Sequence, residues 1–156
     1  VMFGRKVAEP RLSAWYGDEP YTYSGVTLDP RPLTPVLERL KSICERKSGS
    51  RFNSVLVNLY RNGDDTMGWH ADDEPELGVE PSIASLSLGA TRRFKLRHRR
   101  TGEVVERDLT GGSLLVMSGA CQSAWMHSVP KQRRVVEARV NLTFRMIKSE
   151  DAGLRS

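Results

Sequence analysis

The sequence has few of the features that mark several large classes of protein. No apolar run approaches the ~20 residues that a membrane-spanning helix needs, so we expect no transmembrane segment. Two cysteines, Cys44 and Cys121, are too few to predict a disulfide framework. Cys44 falls on the apolar face of a predicted helix, where a buried free thiol is expected. Free thiols favour a reducing, intracellular compartment.

The chain also lacks internal repeats and low-complexity linkers, which favours a single domain over residues 1–156. A length of 156 residues is enough to bury one sizeable core. Residues 1–6 show no signal-peptide pattern. The chain begins with Val1 and not with methionine, so the sequence does not exclude a targeting segment upstream of residue 1. We expect a monomer with no membrane partner.

Basic residues are concentrated in two short segments, although the net charge is only +5. The first segment contains Arg92, Arg93, Lys95, Arg97, His98, Arg99 and Arg100, and the second contains Lys131, Arg133 and Arg134. Such clusters attract phosphate backbones. A solvated hairpin end that is basic for solubility explains them about equally well.

Hydrophobic periodicity predicts one helix followed by many strands. Thr34 can cap a helix, Pro35 suits its first position and Gly49 can end it, so we predict a helix at 34–49. Beyond this helix the apolar residues mostly alternate, and we predict strands at 52–60, 83–88, 93–98, 104–109, 113–117 and 135–146. Short strands separated by turns indicate a mainly β (α+β) fold: a sandwich, barrel or jelly roll. Residues 1–33, interrupted by prolines, should form loops and short strands over the core.

Two of the three histidines belong to a pattern with chemical meaning. His70-Ala71-Asp72 and the distant His127 have the arrangement of a 2-His-1-carboxylate site, which holds Fe(II) on one face and leaves the other positions open. A His-x-Asp pair also occurs by chance, and a histidine is more often a surface or core residue than a ligand. The rest of the chain has to decide between these interpretations.

The last predicted strand alternates almost perfectly between residues 137 and 146. One face is apolar, and the other carries Arg139, Asn141, Thr143 and Arg145. The two arginines lie roughly 20 Å apart at strand rise, and the inward reach of their side chains leaves a gap that suits a short dicarboxylate. Arginine binds carboxylates in a bidentate manner, and such a face can line the cavity of a jelly roll. A half-exposed strand would also alternate, but this polar face lacks the Lys and Glu of a plain solvated surface.

An earlier strand supports a cosubstrate pocket. Asn58 and Tyr60 are two residues apart and therefore share a face of the predicted strand at 52–60. Both side chains can hydrogen-bond a carboxylate or a keto group. Together with the metal pattern and the arginine face, they form an ordered set of residues for one site.

Several stretches resemble the AlkB family of Fe(II)/2-oxoglutarate dioxygenases, which repair alkylated nucleic acid. The matching stretches are Asn58-Leu59-Tyr60, His70-Ala71-Asp72-Asp73-Glu74, Ile83-Ala84-Ser85-Leu86-Ser87-Leu88-Gly89-Ala90, Gly112-Ser113-Leu114-Leu115, Trp125-Met126-His127-Ser128 and Arg139-Val140-Asn141-Leu142-Thr143-Phe144-Arg145. The last stretch is the family's R-x5-R signature. Residues 16–18 and 21–25 extend the resemblance into the N-terminal third, where the chain looks most like relatives that repair double-stranded DNA.

The resemblance implies a fold and a set of site residues. The fold is a double-stranded β-helix (jelly roll) at 51–147, with a flanking helix at 34–49 and a nucleotide-recognition segment at 1–33. The catalytic iron ligands would be His70, Asp72 and His127, and the residues binding 2-oxoglutarate would be Asn58, Tyr60, Arg139, Asn141, Thr143 and Arg145. Arg139 would pair with the distal carboxylate, and Arg145 would lie near the metal. For Asn141 and Thr143 a spacer role is nearly as well supported.

The implied activity is oxidative demethylation of N-alkylated bases such as 1-methyladenine and 3-methylcytosine in DNA. The cofactors would be Fe(II), 2-oxoglutarate and O2; 2-oxoglutarate becomes succinate and CO2, and the methyl group leaves as formaldehyde. The resemblance does not decide between double-stranded DNA, single-stranded DNA and RNA as the substrate. The alternatives are the same chemistry on RNA, protein or a small molecule, and a non-catalytic nucleic-acid-binding module. A non-catalytic module would predict a broken triad or arginine pair, and both are intact in this sequence. A repair role implies the cytoplasm or nucleoid of a bacterium, or a eukaryotic nucleus.

A base inside a duplex must be flipped out to reach such a site. The resemblance places substrate contacts at Tyr21, Thr22 and Tyr23, and the rings of the two tyrosines could stack on the base. It also places one at Asp73, which could accept a hydrogen bond from an exocyclic amine. Ordinary strand aromatics and a solvated acidic turn are the simpler explanations.

The N-terminus supplies a separate hypothesis. Phe3, Gly4 and Arg5 resemble a segment of the relatives that act on duplex DNA, and Phe3 could wedge into the base stack where the base has left. Plain packing is the alternative for a phenylalanine near a terminus. His98, which lies among arginines, is interpreted as part of a surface that contacts the nucleic-acid backbone.

Overall fold

Helix α1 (Pro35–Ser48) begins and ends at residues suited to helix termini. In the computed structural model, which describes residues 10–23 and 25–149, the Thr34 hydroxyl accepts a hydrogen bond from the Leu37 N–H at 3.2 Å. Gly49 follows the helix in the left-handed conformation (φ 70°), and its N–H donates to the carbonyl of Glu45. The helix therefore lies one residue inside the predicted range at each end.

The strands follow one another through short turns. In chain order they are β1 (Leu12–Gly17), β2 (Tyr21–Tyr23), β3 (Val26–Leu28), β4 (Ser54–Tyr60), β5 (Met67–His70), β6 (Ile83–Gly89), β7 (Arg92–His98), β8 (Val104–Leu109), β9 (Leu114–Met117), β10 (Trp125–Val129) and β11 (Arg139–Arg145). A 3-10 turn (Pro75–Leu77) follows β5, and the one-turn helix α2 (Cys121–Ala124) precedes β10. Neither α1 nor α2 combines the length and the apolar composition needed to cross a membrane, among the residues described.

These strands form two main antiparallel sheets. The larger sheet has the order β1-β4-β11-β6-β9, the smaller has the order β5-β10-β7-β8, and β2 pairs with β3 in a hairpin. Side chains from both main sheets meet in one core cluster, to which the larger sheet contributes Leu56 and Ile83 and the smaller sheet contributes Phe94 and Val129. Two facing antiparallel sheets are the architecture of a jelly roll. The prediction of a mainly β fold is confirmed.

A second core cluster lies between α1 and the outer face of the larger sheet. Leu37 and Cys44 of the helix pack with sheet residues that include Leu142 and Phe144. Cys44 is 1% exposed and free, so the prediction of a buried free thiol is confirmed. The helix thus covers the apolar face of β11 and leaves the polar face of that strand to the space between the two sheets.

The predicted strands differ from the observed ones at the last strand and at two short strands. The prediction of a strand at 135–146 was too long, because β11 begins only at Arg139. The preceding residues leave the sheet: the Val135 carbonyl accepts from the Gly63 N–H, and Val136 is 80% exposed. Strands β5 and β10 were not predicted, because both are short and neither alternates clearly between apolar and polar residues.

We expect the contact between β11 and α1 to stabilise the fold strongly. Phe144 is fully buried, so Phe144→Ala should lower the free energy of unfolding by about 3–5 kcal/mol through lost burial and a residual cavity. Val136→Ala, at an exposed position, should change it by less than about 0.5 kcal/mol. Urea denaturation followed by circular dichroism measures both, and equal effects of the two substitutions would contradict this account.

Candidate functional site

The three predicted metal ligands meet at one end of the space between the sheets. His70 ends β5, and the antiparallel pairing of β5 with β10 sets it directly opposite His127. Asp72 follows two residues after His70, and its two carboxylate oxygens each lie 3.8 Å from the Nε2 atom of one histidine. The ligand atoms of all three side chains lie within 4.8 Å of one another. One ion can therefore contact all three.

The protonation states of these side chains suit a divalent cation. Burial, and then the neighbouring His70, lower the pKa of His127 to about 4, so this imidazole is neutral at pH 7. Burial also lowers the pKa of His70, whose Nδ1 lies 2.9 Å from the Gly68 carbonyl and therefore carries the proton. The Nε2 lone pair of His70 then faces Asp72. Two neutral imidazoles and a carboxylate form a ligand set for Fe(II).

Asp72 remains ionised although it is almost completely buried. Its burial opposes ionisation, but Arg145 and the two histidines outweigh this effect and hold the pKa of Asp72 below its ordinary value. The Arg145 Nη2 atom lies 3.2 Å from the Asp72 carboxylate, and both side chains are buried. The structure therefore brings Arg145 to the metal end of the cavity, beside Asp72.

The cavity that contains the metal ligands extends along the polar face of β11. Its lining includes every residue that was predicted to bind iron or 2-oxoglutarate: Asn58, Tyr60, His70, Asp72, His127, Arg139, Asn141, Thr143 and Arg145. The register explains this grouping, since Asn141 pairs with Asn58 and Arg139 with Tyr60 across the β11–β4 ladder. Arg139 and Arg145 lie at opposite ends of this polar row.

Arg139 has the properties of a binding site for a negatively charged group. It is 2% exposed, and its Nη2 atom donates to the Ser87 hydroxyl at 2.8 Å. The Nε and Nη1 atoms are buried, and neither makes a hydrogen bond of good geometry to a described residue, although the guanidinium also interacts with the Tyr60 hydroxyl. Its guanidinium lies 5.1 Å from the Tyr60 ring centre. Buried guanidinium donors are costly unless an acceptor binds them, and the distal carboxylate of 2-oxoglutarate would supply one.

The amide of Asn58 has a defined orientation. Its Oδ1 atom accepts hydrogen bonds from the Ser13 hydroxyl at 2.7 Å and from Arg11 Nε at 3.2 Å. Because these donors occupy the oxygen, the NH2 group remains to donate to a bound carboxylate or keto oxygen. Ser13 and Arg11 were not predicted as site residues. Only the pairing of β1 with β4 sets Ser13 opposite Asn58.

Asn141 and Thr143 bind mainly to their protein neighbours. The Asn141 NH2 group donates to the Ser85 hydroxyl at 2.7 Å and to the Leu86 carbonyl at 3.2 Å. Its Oδ1 atom accepts from the Thr143 hydroxyl at 2.8 Å. Both ends of the Asn141 amide are therefore used within the protein, which favours the spacer role that was the alternative for these two residues.

The predicted base-stacking residues lie on the β2–β3 hairpin. Tyr21 is fully buried and stacks on Trp15, with ring centres 4.6 Å apart. Its ring is therefore part of the core. The Arg145 guanidinium lies 5.5 Å from the centre of the Tyr21 ring. The Thr22 hydroxyl is exposed and lies 3.1 Å from that of Thr27. Tyr23 ends the same strand.

The predicted wedge, Phe3-Gly4-Arg5, lies outside the described residues. Its role stays a prediction.

The two acidic residues after Asp72, Asp73 and Glu74, lie in different environments. The Asp73 side chain is 62% exposed and pairs with Arg99 at 3.3 Å, away from the metal ligands. Glu74 is half-buried. Burial, and to a smaller extent the nearby Asp72, raise the pKa of Glu74, and a hydrogen bond with Tyr21 opposes this rise only in part. The acidic side chain next to the metal ligands is thus Glu74, which was not predicted. The alternation of side chains along an extended segment would have indicated it, because Glu74 is two residues from Asp72.

The basic segment at residues 92–100 does not lie wholly on the surface. Arg92 is 1% exposed, and its guanidinium donates to the carbonyls of Asn62, Asp65 and Pro130. It joins the loops that flank β5 and β10 instead of facing solvent. Arg92 and Arg93 are adjacent in sequence, but successive residues of a strand face opposite sides of the sheet, so Arg92 is buried and Arg93 is exposed.

The other members of the cluster are engaged locally. Arg93 and Lys95 form exposed ion pairs with Glu106 of the neighbouring strand. The Nδ1 atom of His98 accepts from the backbone N–H groups of Arg100 and Thr101, so His98 stabilises the β7–β8 turn. The sequence predicted that His98 contacts the nucleic-acid backbone, whereas in the structure its Nδ1 atom binds N–H groups of its own chain.

Comparisons with known proteins agree with this site. Residues 3–145 match the family described as the 2OG-Fe(II) oxygenase superfamily. The chain is 50% identical to the human (Homo sapiens) alpha-ketoglutarate-dependent dioxygenase alkB homolog 3, over 93% of this chain and 54% of that protein. It is 48% identical to the DNA oxidative demethylase ALKBH2 of Mus musculus, over 94% of this chain and 65% of that protein. The chain thus spans about half to two thirds of the length of these relatives.

A solved structure shows the same fold. The structure of OsALKBH1 superposes with a TM-score of 0.58 at 18% identity, over 86% of this chain and 77% of that one. The predicted jelly roll is therefore confirmed.

The two curated relatives have nearly equal identities to the chain, and neither name specifies single-stranded or double-stranded DNA. The resemblance to the AlkB family itself is confirmed. With a family match over most of its length and an intact His-Asp-His cluster facing two buried arginines, the chain belongs to the 2OG-Fe(II) oxygenase superfamily and, within it, to the AlkB family.

Proposed function

We propose that this chain is the catalytic domain of a repair dioxygenase that oxidatively demethylates N-alkylated bases, such as 1-methyladenine and 3-methylcytosine, in DNA. The observation that carries the proposal is the buried guanidinium of Arg139, which has unsatisfied donors and lines the same cavity as the metal ligands. The relatives named as DNA oxidative demethylase and alkB homolog 3 support the choice of substrate.

His70, Asp72 and His127 would hold Fe(II), since their ligand atoms lie within 4.8 Å of one another. With 2-oxoglutarate and O2 bound, Fe(II) supplies the oxidising chemistry that hydroxylates the N-methyl group, while 2-oxoglutarate becomes succinate and CO2 and the methyl carbon leaves as formaldehyde. Arg145 keeps Asp72 ionised by its proximity, which preserves a carboxylate ligand in a buried site.

The other polar residues of the cavity would orient 2-oxoglutarate. Arg139 would bind the distal carboxylate through the donors that the protein leaves unsatisfied. Asn58 would donate a hydrogen bond to 2-oxoglutarate through its NH2 group, because Ser13 and Arg11 bind its Oδ1 atom. Asn141 and Thr143 would hold the shape of the wall between them, and Tyr60 would support the Arg139 end of the cavity.

The target base would be flipped out of its strand to reach the metal. Glu74 would face the base from beside Asp72, and Phe3 would fill the gap in the stack. Exposed basic side chains such as Arg100 would contact phosphates. An intracellular location accords with the two free cysteines and with a nucleic-acid substrate. Single-stranded DNA, double-stranded DNA and RNA are outcomes that the first experiment separates.

The first experiment tests the activity directly. Purified protein is incubated with Fe(II), 2-oxoglutarate and O2 and with oligonucleotides that carry 1-methyladenine, as single-stranded DNA, duplex DNA or RNA. We expect loss of the methyl mass from at least one DNA form, measured by mass spectrometry, together with formaldehyde. His127→Ala should abolish turnover and leave the circular dichroism spectrum unchanged. A wild-type protein that binds metal but demethylates no nucleic acid would refute the repair function.

A second experiment tests the carboxylate site. Arg139→Met should abolish the rise in melting temperature that 2-oxoglutarate causes with Mn(II) present, because the distal carboxylate loses its charged partner. The same substitution should leave the melting temperature of the ligand-free protein unchanged or raised, because it removes buried donors that have no partner. Arg139→Lys should weaken binding of 2-oxoglutarate roughly 10-fold, since lysine cannot bind in a bidentate manner.

The result that would contradict this assignment is specific. If Arg139→Met lowered the melting temperature of the ligand-free protein by several degrees and kept the full shift with 2-oxoglutarate, Arg139 would be a structural residue.

A third experiment distinguishes the two acidic residues after Asp72. Glu74→Gln should lower kcat/KM for the oligonucleotide roughly 10-fold, because it changes a half-buried carboxyl beside the metal ligands. Asp73→Asn should change it by less than about 3-fold, because exposed ion pairs contribute little. Initial rates at varied oligonucleotide concentration measure both variants. The reverse order of the two effects would restore Asp73 as the contact to the base.

A further inference from the structure

Gln122 is a buried polar residue that neither the motifs nor the cosubstrate pocket explains. It lies in α2, the single helical turn that directly precedes β10, and is 2% exposed. Its Oε1 atom accepts a hydrogen bond from the backbone N–H of Asp72 at 2.8 Å, across 50 residues of sequence. Its Nε2 atom lies 3.6 Å from the Met117 sulfur. The amide oxygen is therefore the strongly bonded end of this side chain.

The Asp72 segment has little other support. Residues 71–74 lie between β5 and the 3-10 turn and belong to no strand, so no ladder of backbone hydrogen bonds holds them. A buried backbone N–H needs an acceptor, and Gln122 supplies it for Asp72. The peptide of a metal ligand is thus anchored by a side chain from a distant part of the chain.

The same helical turn is connected to a second metal ligand. The turn continues into β10, where the Trp125 N–H donates to the Cys121 carbonyl and His127 follows two residues later. On the exposed side, Arg99 donates to the Gln122 carbonyl at 3.2 Å and pairs with Asp73. The exposed ion pair contributes little. The buried bond from Gln122, in contrast, holds the peptide of Asp72 itself.

Asp72 also has a competing partner. Arg145 lies 3.2 Å from one of its carboxylate oxygens, and an unanchored Asp72 would be free to turn towards that guanidinium and away from the two histidines. A fixed peptide limits this movement, because it restricts the positions that the carboxylate can reach.

We propose that Gln122 is a positioning residue for the metal centre: its amide oxygen fixes the peptide of Asp72 and thereby aims the Asp72 carboxylate at the ion held by His70 and His127. The inference rests on the proposed metal site and adds to it a residue that contacts neither metal nor 2-oxoglutarate. Partners of this kind change metal affinity by roughly 10–100-fold when they are removed.

The experiment measures metal binding without turnover. The probe is Mn(II), titrated calorimetrically into the metal-free protein with 2-oxoglutarate present. Gln122→Met keeps the size of the side chain and removes the acceptor, and we expect it to weaken Mn(II) binding roughly 10–100-fold. Gln122→Asn keeps the amide and shortens its reach; it should weaken binding too, and it supplies the answer if Gln122→Met does not fold.

Two control variants separate positioning from general destabilisation. Leu37→Ala removes a buried contact of α1, remote from the cavity, and should lower the melting temperature while keeping Mn(II) affinity within about 3-fold of wild type. Ser123→Ala changes the neighbouring exposed residue of α2 and should alter neither quantity.

A spectroscopic signature completes the test. The charge-transfer absorption of the anaerobic Fe(II)–2-oxoglutarate complex should be weakened or shifted in a folded Gln122 variant and unchanged in both controls. Wild-type Mn(II) affinity in a folded Gln122 variant would overturn the role of Gln122. Failure of the wild-type protein itself to bind Mn(II) would instead overturn the metal site, so the two failures are distinguishable.

Discussion

The register of β11 between β4 and β6 sets both the packing of the core and the lining of the cavity. This strand is buried on both faces, and successive side chains therefore go to two different environments. Leu142 and Phe144 complete the cluster under α1, whereas Arg139 and Arg145 enter the cavity between the sheets. A slip of one residue would bury two arginines under the helix and move the apolar residues into the cavity. Packing and function thus select the same register.

Burial of charge is the main energetic cost of the site, and the protein offsets it in different ways at different residues. Arg92 is satisfied by backbone carbonyls of the surrounding loops, and Arg145 by proximity to Asp72. Arg139 has the uncharged partners Ser87 and Tyr60, and two of its donor atoms make no hydrogen bond of good geometry to a described residue. Since an unpaired buried cation destabilises the folded state, a bound dicarboxylate would stabilise the fold and the site together.

The metal centre joins parts of the chain that contribute different kinds of support. His70 and His127 are fixed by strand pairing, whereas Asp72 lies on a segment outside the sheets and depends on the side chain of Gln122. The outer residues Arg99 and Asp73 add a weak connection from this segment to the β7–β8 turn. The site is therefore rigid where the backbone forms ladders, and elsewhere it relies on individual hydrogen bonds.

Features that follow from local order could be predicted from the residues alone. Thr34 and Gly49 indicated the ends of α1, alternation indicated the two faces of β11, and the His-x-Asp pair with a later His indicated the candidate metal ligands. Which side chains outside these patterns reach the site became apparent from the folded chain. Folding buried Arg92, set Ser13 against Asn58, turned Asp73 towards Arg99 and connected Gln122 to Asp72. The physical reason is that hydrogen bonds and ion pairs between distant segments depend on strand order and register, which no local pattern of residue types encodes.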